Sequence, residues 1–242
     1  MNIVIDQGNA SAKVALFDKD KLMMSFMFKP LREAQMEKIL NQFSPRYGIL
    51  SAVADLSPSV IDLLRKRMER FIELDTQVSL PVQVMYRTPE TLGRDRLAAV
   101  VGAQSLYPHR DILVIDAGTA ITYEILDASG KYWGGNISPG MTTRFKSLKS
   151  ATKRLPLLDE RGDLPNIGYD TETAIRSGVV TGITYEMDAY IDEYKLKHPE
   201  LFVFLTGGHS FYFETKLKNP TFADVNLVLR GLNRILNYNV KD

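Results

Sequence analysis

Two aspartates stand in the same local pattern, one near the start of the chain and one near its middle. Asp6 ends an apolar run and is followed by Gly8, and Asp116 ends a second apolar run and is followed by Gly118. Residues that favour β-structure follow each glycine, so each segment predicts a strand, a tight turn and a second strand. The backbone N–H groups of such a turn can bind phosphate oxygens, and the carboxylate can bind a metal ion.

The two predicted hairpins have two interpretations. Each can be an ordinary tight hairpin that carries a surface aspartate, or the two together can be the phosphate-binding hairpins of one nucleotide site. A single hairpin of this kind is common in proteins. Because two occur at equivalent positions of a repeated plan, the sequence favours the nucleotide site.

A third group of chemically active side chains lies where an apolar helix is predicted to begin. Pro89 and Gly93 frame an irregular turn, and Arg94, Asp95 and Arg96 follow it. The amides and the dipole of a helix N-terminus favour an anion nearby. An ionised aspartate there could accept a hydroxyl proton, and an arginine could bind an acidic substrate through two hydrogen bonds. This segment alone leaves open the alternative of a capping cluster held by salt bridges.

The elements that must position these groups recur in the same order in both halves of the chain. Hydrophobic periodicity and turn residues define them. In the first half, strands are predicted over 2–6, 13–17, 22–28, 47–53 and 81–86, and helices over 31–43, 58–71 and 93–107. In the second half, strands are predicted over 112–116, 120–127, 131–137 and 201–206, helices over 143–151, 171–197 and 225–238, and a loop over 155–169.

Three meandering strands followed by helix, strand and helix, occurring twice, predict an α/β protein. The expected architecture is the actin-like, ribonuclease H-like (ASKHA) duplicated fold, in which two similar domains surround a nucleotide cleft. We expect an N-terminal domain over residues 1–110 and a C-terminal domain over residues 111–242.

The composition excludes several classes of function. The 242 residues include 30 basic and 29 acidic side chains and no cysteine, so no global charge favours nucleic acid or a membrane surface, and disulfides and zinc–thiolate sites are excluded. Asp6 interrupts the only apolar run near the N-terminus, which argues against a signal peptide. No apolar stretch approaches the ~18 residues that span a bilayer. We therefore expect a cytoplasmic protein that contacts neither nucleic acid nor membrane.

Four motifs occur in order along most of the chain: DQGNASAK at Asp6, GRDR at Gly93, DAGTAITYEILDASGKYWGGNISPG from Asp116 and DTETAIRSG from Asp170. This ordered set resembles the motifs of the type III pantothenate kinases. A TGG triplet at Thr206 also matches. Each motif alone is modest, but the ordered set is specific.

The resemblance implies ATP-dependent phosphorylation of pantothenate to 4'-phosphopantothenate, the first step of coenzyme A biosynthesis. It also implies Mg²⁺, a monovalent cation (K⁺ or NH₄⁺), and a homodimer with the pantothenate pocket close to the subunit interface. Asp95 would be the general base, Asp6 would lie near magnesium, and Asp116 would bind the monovalent cation. ATP would bind at Asp6, Gln7, Gly8, Asn9, Ala10, Ser11, Ala12, Lys13 and Thr119. Pantothenate would bind at Tyr86, Gly93, Arg94, Asp95, Arg96 and Thr171.

The first hairpin departs from the family pattern Asp-x-Gly-Asn-Thr, because Ala10 stands in the threonine position and Ser11 follows it. Two other functions therefore stay open. One is a different small-molecule kinase or phosphohydrolase of the same fold, since fold does not dictate the acceptor. The other is a non-catalytic, nucleotide-binding regulatory homologue, which only Ala10 favours, because Asp6, Asp95 and Asp116 are all present.

Overall fold

The computed structural model describes residues 1–9 and 11–240, which form two compact units. The first unit comprises Met1–His109, Ser129–Tyr132 and the chain from Asn226 onward, and the second comprises Arg110–Ala128 and Trp133–Val225. These units differ from domains divided at residue 110, because the C-terminal helix packs within the first unit. The described residues contain no helix that is long and apolar enough to cross a membrane.

The predicted elements occur in the predicted order, together with short elements that were not predicted. Up to residue 109 they are β1 (Asn2–Gln7), β2 (Ala12–Asp18), β3 (Lys21–Phe28), α1 (Glu33–Phe43), β4 (Tyr47–Ala52), α2 (Pro58–Arg67), β5 (Arg70–Glu73), β6 (Gln83–Val84), a 3₁₀ turn (Pro89–Thr91) and α3 (Arg94–Leu106). Beyond it they are β7 (Ile112–Ala117), β8 (Ala120–Leu126), β9 (Lys131–Pro139), α4 (Met141–Ala151), α5 (Thr171–Lys197), β10 (Phe202–Thr206), α6 (Ser210–Glu214), β11 (Phe222–Ala223) and α7 (Leu227–Asn239).

The first unit is built on a five-stranded sheet in the order β3-β2-β1-β4-β5. The strands β1, β2 and β3 form an antiparallel meander, while β4 and β5 run parallel to β1. Helices α1 and α2 pack on one face of this sheet through Met36, Leu40, Val60 and Leu64, which are buried with apolar residues of β1 and β2.

The second unit repeats this plan. Its strands lie in the order β11-β10-β7-β8-β9, with β7 and β8 antiparallel and β10 and β11 parallel to β7. The core lies between this sheet and helices α4 and α5, and Met141, Phe145, Ile183 and Met187 are buried in it. The same order of strands and helices therefore holds a strand–turn–strand hairpin at the start of each unit.

Three sequence predictions need correction. The helix predicted through Met68 and Phe71 ends at Arg67, because the backbone of Met68 is extended and Phe71 enters β5, which pairs with β4 at the sheet edge. The predicted strand over 81–86 shrinks to the two residues of β6, which pair with Lys131 and Tyr132. The short elements α6 and β11 had no periodic signal, since neither exceeds five residues.

Helices α3 and α7 of the first unit cross in direct backbone contact. A Cβ added to Gly231 of α7 would lie 1.7 Å from the carbonyl oxygen of Ala98, and one added to Gly102 of α3 would lie 2.3 Å from the carbonyl oxygen of Leu227. Only glycine fits at either position. Asn2 of β1 further fixes α7, because its amide donates hydrogen bonds of 2.8 Å to both Asn233 and Asn237.

Gly231→Ala is therefore expected to destabilise the protein by about 1–3 kcal/mol or more, because the added methyl group overlaps the α3 backbone and forces the helices apart. Urea denaturation of the variant and the unmodified chain measures the difference. The control is Gly208→Ala, where an added Cβ meets no atom within 4 Å. If Gly231→Ala is as stable as this control, helices α3 and α7 can move apart without loss of stability, and the prediction is wrong.

Candidate active site

The first hairpin joins β1 to β2 in the first unit. Gln7 pairs with Ala12, and the turn between them is closed by a hydrogen bond of 3.0 Å from the Gly8 N–H to the carbonyl oxygen of Ser11. The side-chain amide of Gln7 donates to the Gly8 carbonyl oxygen at 2.9 Å. Ala10, which the sequence placed in the ATP-binding set, lies outside the described residues. The turn presents backbone groups at the end of β1, directly after Asp6.

Asp6 lies at the end of β1, opposite Lys13 on β2. Burial raises the pKa of its carboxyl group to about 6, the positive charge of Lys13 opposes this rise, and the negative charge of Asp95 adds to it. Burial disfavours the ionised carboxylate because charge is less well solvated there. A cation bound beside Asp6 would offset that cost. Asp95 must also be near, since its charge acts on Asp6.

Asp95 occupies the first turn of α3, where Gly93 is the N-cap residue. Its Oδ1 accepts a hydrogen bond of 2.9 Å from the backbone N–H of Arg96. A Cβ on Gly93 would lie 2.6 Å from this oxygen, so a side chain at position 93 would displace the carboxylate. The start of α3 thus holds one oxygen of Asp95 through a backbone N–H. The role of Asp95 as the base stays a prediction.

The two arginines beside Asp95 have different surroundings. Arg96 is only 7% exposed, and its guanidinium lies 5.6 Å from the centre of the Tyr86 ring in a cation–π contact. Arg94 instead points back to the preceding turn, with long contacts of 3.4 Å to the carbonyl oxygens of Pro89 and Leu92. The structure therefore brings Tyr86 and Arg96 together next to Asp95 and directs Arg94 to the turn.

The second hairpin, between β7 and β8 of the second unit, is one residue shorter than the first. The Gly118 N–H donates to the carbonyl oxygen of Ala120 at 3.0 Å. Gly207 packs against Asp116: its φ is +91°, and a Cβ there would lie 2.3 Å from Oδ1 of Asp116. Glycine is required at position 207 for both reasons. The TGG triplet therefore shapes the backbone around the Asp116 carboxylate.

Thr119 at the tip of this hairpin is held by the start of α4. Its carbonyl oxygen accepts hydrogen bonds from the Gly140 N–H at 3.0 Å and from the Thr143 hydroxyl at 2.7 Å. A Cβ on Gly140 would lie 2.1 Å from the carbonyl oxygen of Gly118, so this approach also requires glycine. These contacts fix the backbone of the hairpin.

A partly buried polar cluster anchors α4 in turn. Glu186 of α5 accepts hydrogen bonds from Tyr123 at 2.7 Å, from Ser138 at 2.5 Å and from Arg144 at 2.5 Å. The three donors hold the pKa of Glu186 below its ordinary value although burial opposes them. The pKa of Tyr123 is raised by burial and by the Glu186 charge. The cluster ties β8, β9, α4 and α5 together behind the second hairpin.

Thr171 begins α5, and the predicted cap at Asp170 is present: its Oδ1 accepts the Thr173 N–H at 2.8 Å. Thr171 lines a mainly apolar cavity of about 660 Å³ between α4, the following loop and α5, together with Arg144, Leu155 and Ile175. Within the second unit, Thr171 therefore lines this cavity, whereas Thr119 does not.

The Asp6 carboxylate fits a magnesium ion that is bound together with a nucleotide. Within the described part of the chain, no three histidine, aspartate or glutamate side chains are placed to hold a metal ion by themselves. Mg²⁺ commonly uses one or two carboxylates and completes its shell with water and substrate phosphates. Asp6, a half-buried carboxylate beside the phosphate-type turn, meets that requirement.

An aspartate-ended hairpin in each of two α/β units with the same element order is the arrangement of the actin-like, ribonuclease H-like class, and comparison with known structures confirms it. A Listeria monocytogenes protein assigned as an N-acetylmannosamine kinase has a TM-score of 0.56 at 12% identity, over 98% of this chain and 99% of that one. A Campylobacter jejuni structure described as a Baf family transcriptional activator has a TM-score of 0.64 at 24% identity, over 98% of each chain. At these identities the likeness concerns the fold alone.

Relatives of higher sequence identity show the family of this chain. The family model of type III pantothenate kinases matches residues 2–193. A type III pantothenate kinase of Bacteroides fragilis (strain YCH46) is 52% identical over 239 residues, which are 99% of this chain and 98% of that protein. The chain belongs to the type III pantothenate kinase family, whose members are phosphotransferases.

Sequence reasoning missed the residues that hold the hairpins in place. Gly140 and Thr143 clamp Thr119, and Gly207 approaches Asp116, but only the glycines stood out in the sequence. Ser51, which is buried beside Asp6, was also missed. A polar residue at the end of an apolar strand is the one signal that could have indicated it.

The raised pKa of Asp6 predicts a stability that depends on pH. The ordinary value is 3.8 and the folded value is about 6. Between these values the folded protein keeps a proton that the unfolded chain releases, so the free energy of unfolding falls as pH rises from about 4 to about 6. Asp6→Asn is expected to be more stable than the unmodified chain by about 1–3 kcal/mol at pH 7.5, and nearly equal to it at pH 4.

Urea denaturation at both pH values, without metal or nucleotide, measures this difference. Asp18→Asn, at an exposed position on β2, controls for the loss of one negative charge. If Asp6→Asn stabilises the protein equally at both pH values, the burial of the Asp6 charge is not the cause.

Proposed function

We propose that this protein transfers the γ-phosphoryl group of ATP to the primary hydroxyl group of pantothenate, giving ADP and 4'-phosphopantothenate, the first step of coenzyme A biosynthesis. Family membership supports ATP, a divalent metal ion and pantothenate. The observation that carries the assignment of residues is that Asp6 at the first hairpin and Asp95 in the first turn of α3 lie in the same unit, where the charge of Asp95 adds to the rise that burial causes in the pKa of Asp6. A base for the acceptor and a carboxylate for the metal would thus both come from the first unit.

In the reaction, the hydroxyl oxygen of pantothenate bonds to the γ-phosphorus, and the bond from that phosphorus to the bridging oxygen of ADP breaks. Asp95 takes the hydroxyl proton. Its Oδ1 is held by the Arg96 N–H, so Oδ2 is the oxygen that would accept the proton. Little covalent help is needed in such a transfer, because positioning and charge neutralisation lower most of the barrier.

The first hairpin would bind phosphate oxygens through the N–H groups of its turn and through Lys13, while Asp6 would hold magnesium. Magnesium, when bound, neutralises charge on the phosphate oxygens. In the second unit, Thr119 would contact ATP, with its backbone fixed by Gly140 and Thr143. Ser11 would supply the hydroxyl that Ala10 lacks.

For pantothenate, Arg96 and Tyr86 would form the first contacts, because they already lie against each other beside Asp95. A buried guanidinium is a strong partner for a carboxylate, and pantothenate carries one. Gly93 and Arg94 would shape the turn around the substrate. Thr171 would contribute from the start of α5.

Asp95→Asn tests this assignment. An amide cannot accept the proton, so we expect turnover to fall by about 10²–10⁴-fold while ATP still binds. The measurements are pantothenate-dependent ADP release and calorimetric binding of the nucleotide. Asp62→Asn, an exposed carboxylate on α2, is the matched control.

Near-normal turnover of Asp95→Asn would remove Asp95 from the role of base. Unmodified protein that phosphorylates no pantothenate with ATP, magnesium and potassium would instead contradict the activity itself. Phosphorylation of a different small alcohol by that preparation would favour another kinase of this fold.

The monovalent cation is part of the proposal, with Asp116 as its ligand. What supports it is the Asp116 carboxylate at the second hairpin, with the backbone of Gly207 packed against it. Replacing sodium with potassium or ammonium is expected to raise the rate of the unmodified protein.

Asp116→Ala should abolish the potassium response and most of the activity, because the ion loses its carboxylate. Rates in potassium and in sodium measure both effects, and Glu193→Ala on the exposed surface of α5 is the control. A variant that potassium still stimulates fully would contradict the assignment.

We also propose that the protein is a cytoplasmic homodimer. Support for the dimer comes from α5, the helix that begins at Thr171. Its Gly178 and Gly182 have open space where a side chain would lie, and Tyr185, one turn further, is 68% exposed. Small residues of this kind let another chain approach closely. Light scattering that returned the mass of a single chain would contradict the dimer.

A further inference from the structure

The hydroxyl group of Ser51 is buried without a partner. Ser51 lies near the end of β4 and is 0% exposed. Among the described residues, two fully buried side-chain polar atoms make no hydrogen bond, and they are Oγ of Ser51 and Oγ1 of Thr221. A buried polar group without a partner costs about 1–3 kcal/mol, so its presence calls for an explanation.

The strand register places Ser51 beside Asp6. In the parallel pairing of β1 and β4, Ser51 is the partner of Asp6, and Leu50 is the partner of Ile5. Ile5 and Leu50 both point into the core under α1 and α2. Because successive side chains alternate between the two faces of a sheet, Asp6 and Ser51 share the opposite face.

That opposite face is covered by α3 and α7. Asn2, which shares the face of Asp6, donates a hydrogen bond to Asn233 of α7, and α3 contacts β4. Asp95 lies in the first turn of α3. The serine hydroxyl is therefore an unused donor beside Asp6, on the face of the sheet that α3 and α7 cover.

We propose that Ser51 is a positioning residue of the magnesium site: when Asp6 holds the ion, the Ser51 hydroxyl turns to donate a hydrogen bond to the Asp6 carboxylate and orients that carboxylate toward the ion. The inference rests on the proposed role of Asp6 in metal binding. A hydroxyl group rotates freely and can meet an ionised carboxylate. Hydrogen bonds to charged groups are stronger than those between neutral groups. A single bond from the Ser51 hydroxyl can therefore affect how the Asp6 carboxylate is oriented.

A purely structural role makes the opposite prediction. If Ser51 only fills space between β4 and α3, removal of its hydroxyl relieves an unsatisfied polar group and leaves metal binding unchanged. The two roles therefore differ in the response to magnesium and not only in stability.

The experiment compares Ser51→Ala with the unmodified protein, and uses Thr221→Val as the matched control because it removes the other partnerless hydroxyl. ADP binding is measured by calorimetry with and without magnesium, and the magnesium concentration for half-maximal turnover is measured at saturating substrates. For Ser51→Ala we expect the magnesium requirement to rise about tenfold and the magnesium-dependent gain in ADP affinity to shrink by a similar factor. Metal-free ADP binding, the KM for pantothenate and the melting temperature should stay equal to those of Thr221→Val.

Ser51→Thr keeps the hydroxyl and should stay within about threefold of the unmodified magnesium requirement. An unchanged requirement in Ser51→Ala, or an equal increase in Ser51→Thr and Ser51→Ala, would overturn the proposal in favour of packing. Loss of folding in Ser51→Ala would overturn it too, because removal of a partnerless hydroxyl is not expected to destabilise. Since magnesium-dependent ADP binding needs no pantothenate, these outcomes stay distinct from a failure of the proposed reaction.

Discussion

The contact that the first unit depends on is the crossing of α3 and α7 at Gly102 and Gly231. The two backbones touch there, so α3 can occupy only one position relative to the helix that β1 holds through Asn2. That position sets the start of α3, and with it Asp95, beside the end of β1. The last part of this unit begins at residue 226, which is 132 residues after α3 begins at residue 94. The carboxylate proposed as the base is thus positioned by a helix at the far end of the sequence.

The second unit uses glycine in the same way, but on turns. Gly140 lets α4 approach the Thr119 turn, and Gly207 lets the strand β10 end against Asp116. Rigid backbone contacts of this kind suit phosphoryl transfer, where alignment supplies most of the rate. The Glu186 cluster extends the support to α5, so the turn, the helix behind it and the helix that carries Thr171 are mechanically connected.

Charge around Asp6 shows a conflict between stability and function. Burial and the nearby Asp95 both disfavour the ionised form of Asp6, and only Lys13 favours it. The folded protein alone is thus poorly suited to hold this charge, whereas a protein with a bound cation is well suited. Residues that destabilise the ligand-free protein are common at functional sites, because the bound ligand supplies the interaction that they lack.

The sequence by itself determined the order of the elements, both hairpins, the start of α3 and the cap of α5, because these depend on local periodicity, turn residues and a short capping motif. It also indicated the family, because the motifs and their order along the chain can be recognised without a structure. The tertiary structure decided where α2 ends, that α7 packs on α3, and which of the two arginines near Asp95 meets Tyr86. It alone placed Ser51 next to Asp6, since strand register and the distance between residues far apart in the chain depend on packing between elements, which no local pattern encodes.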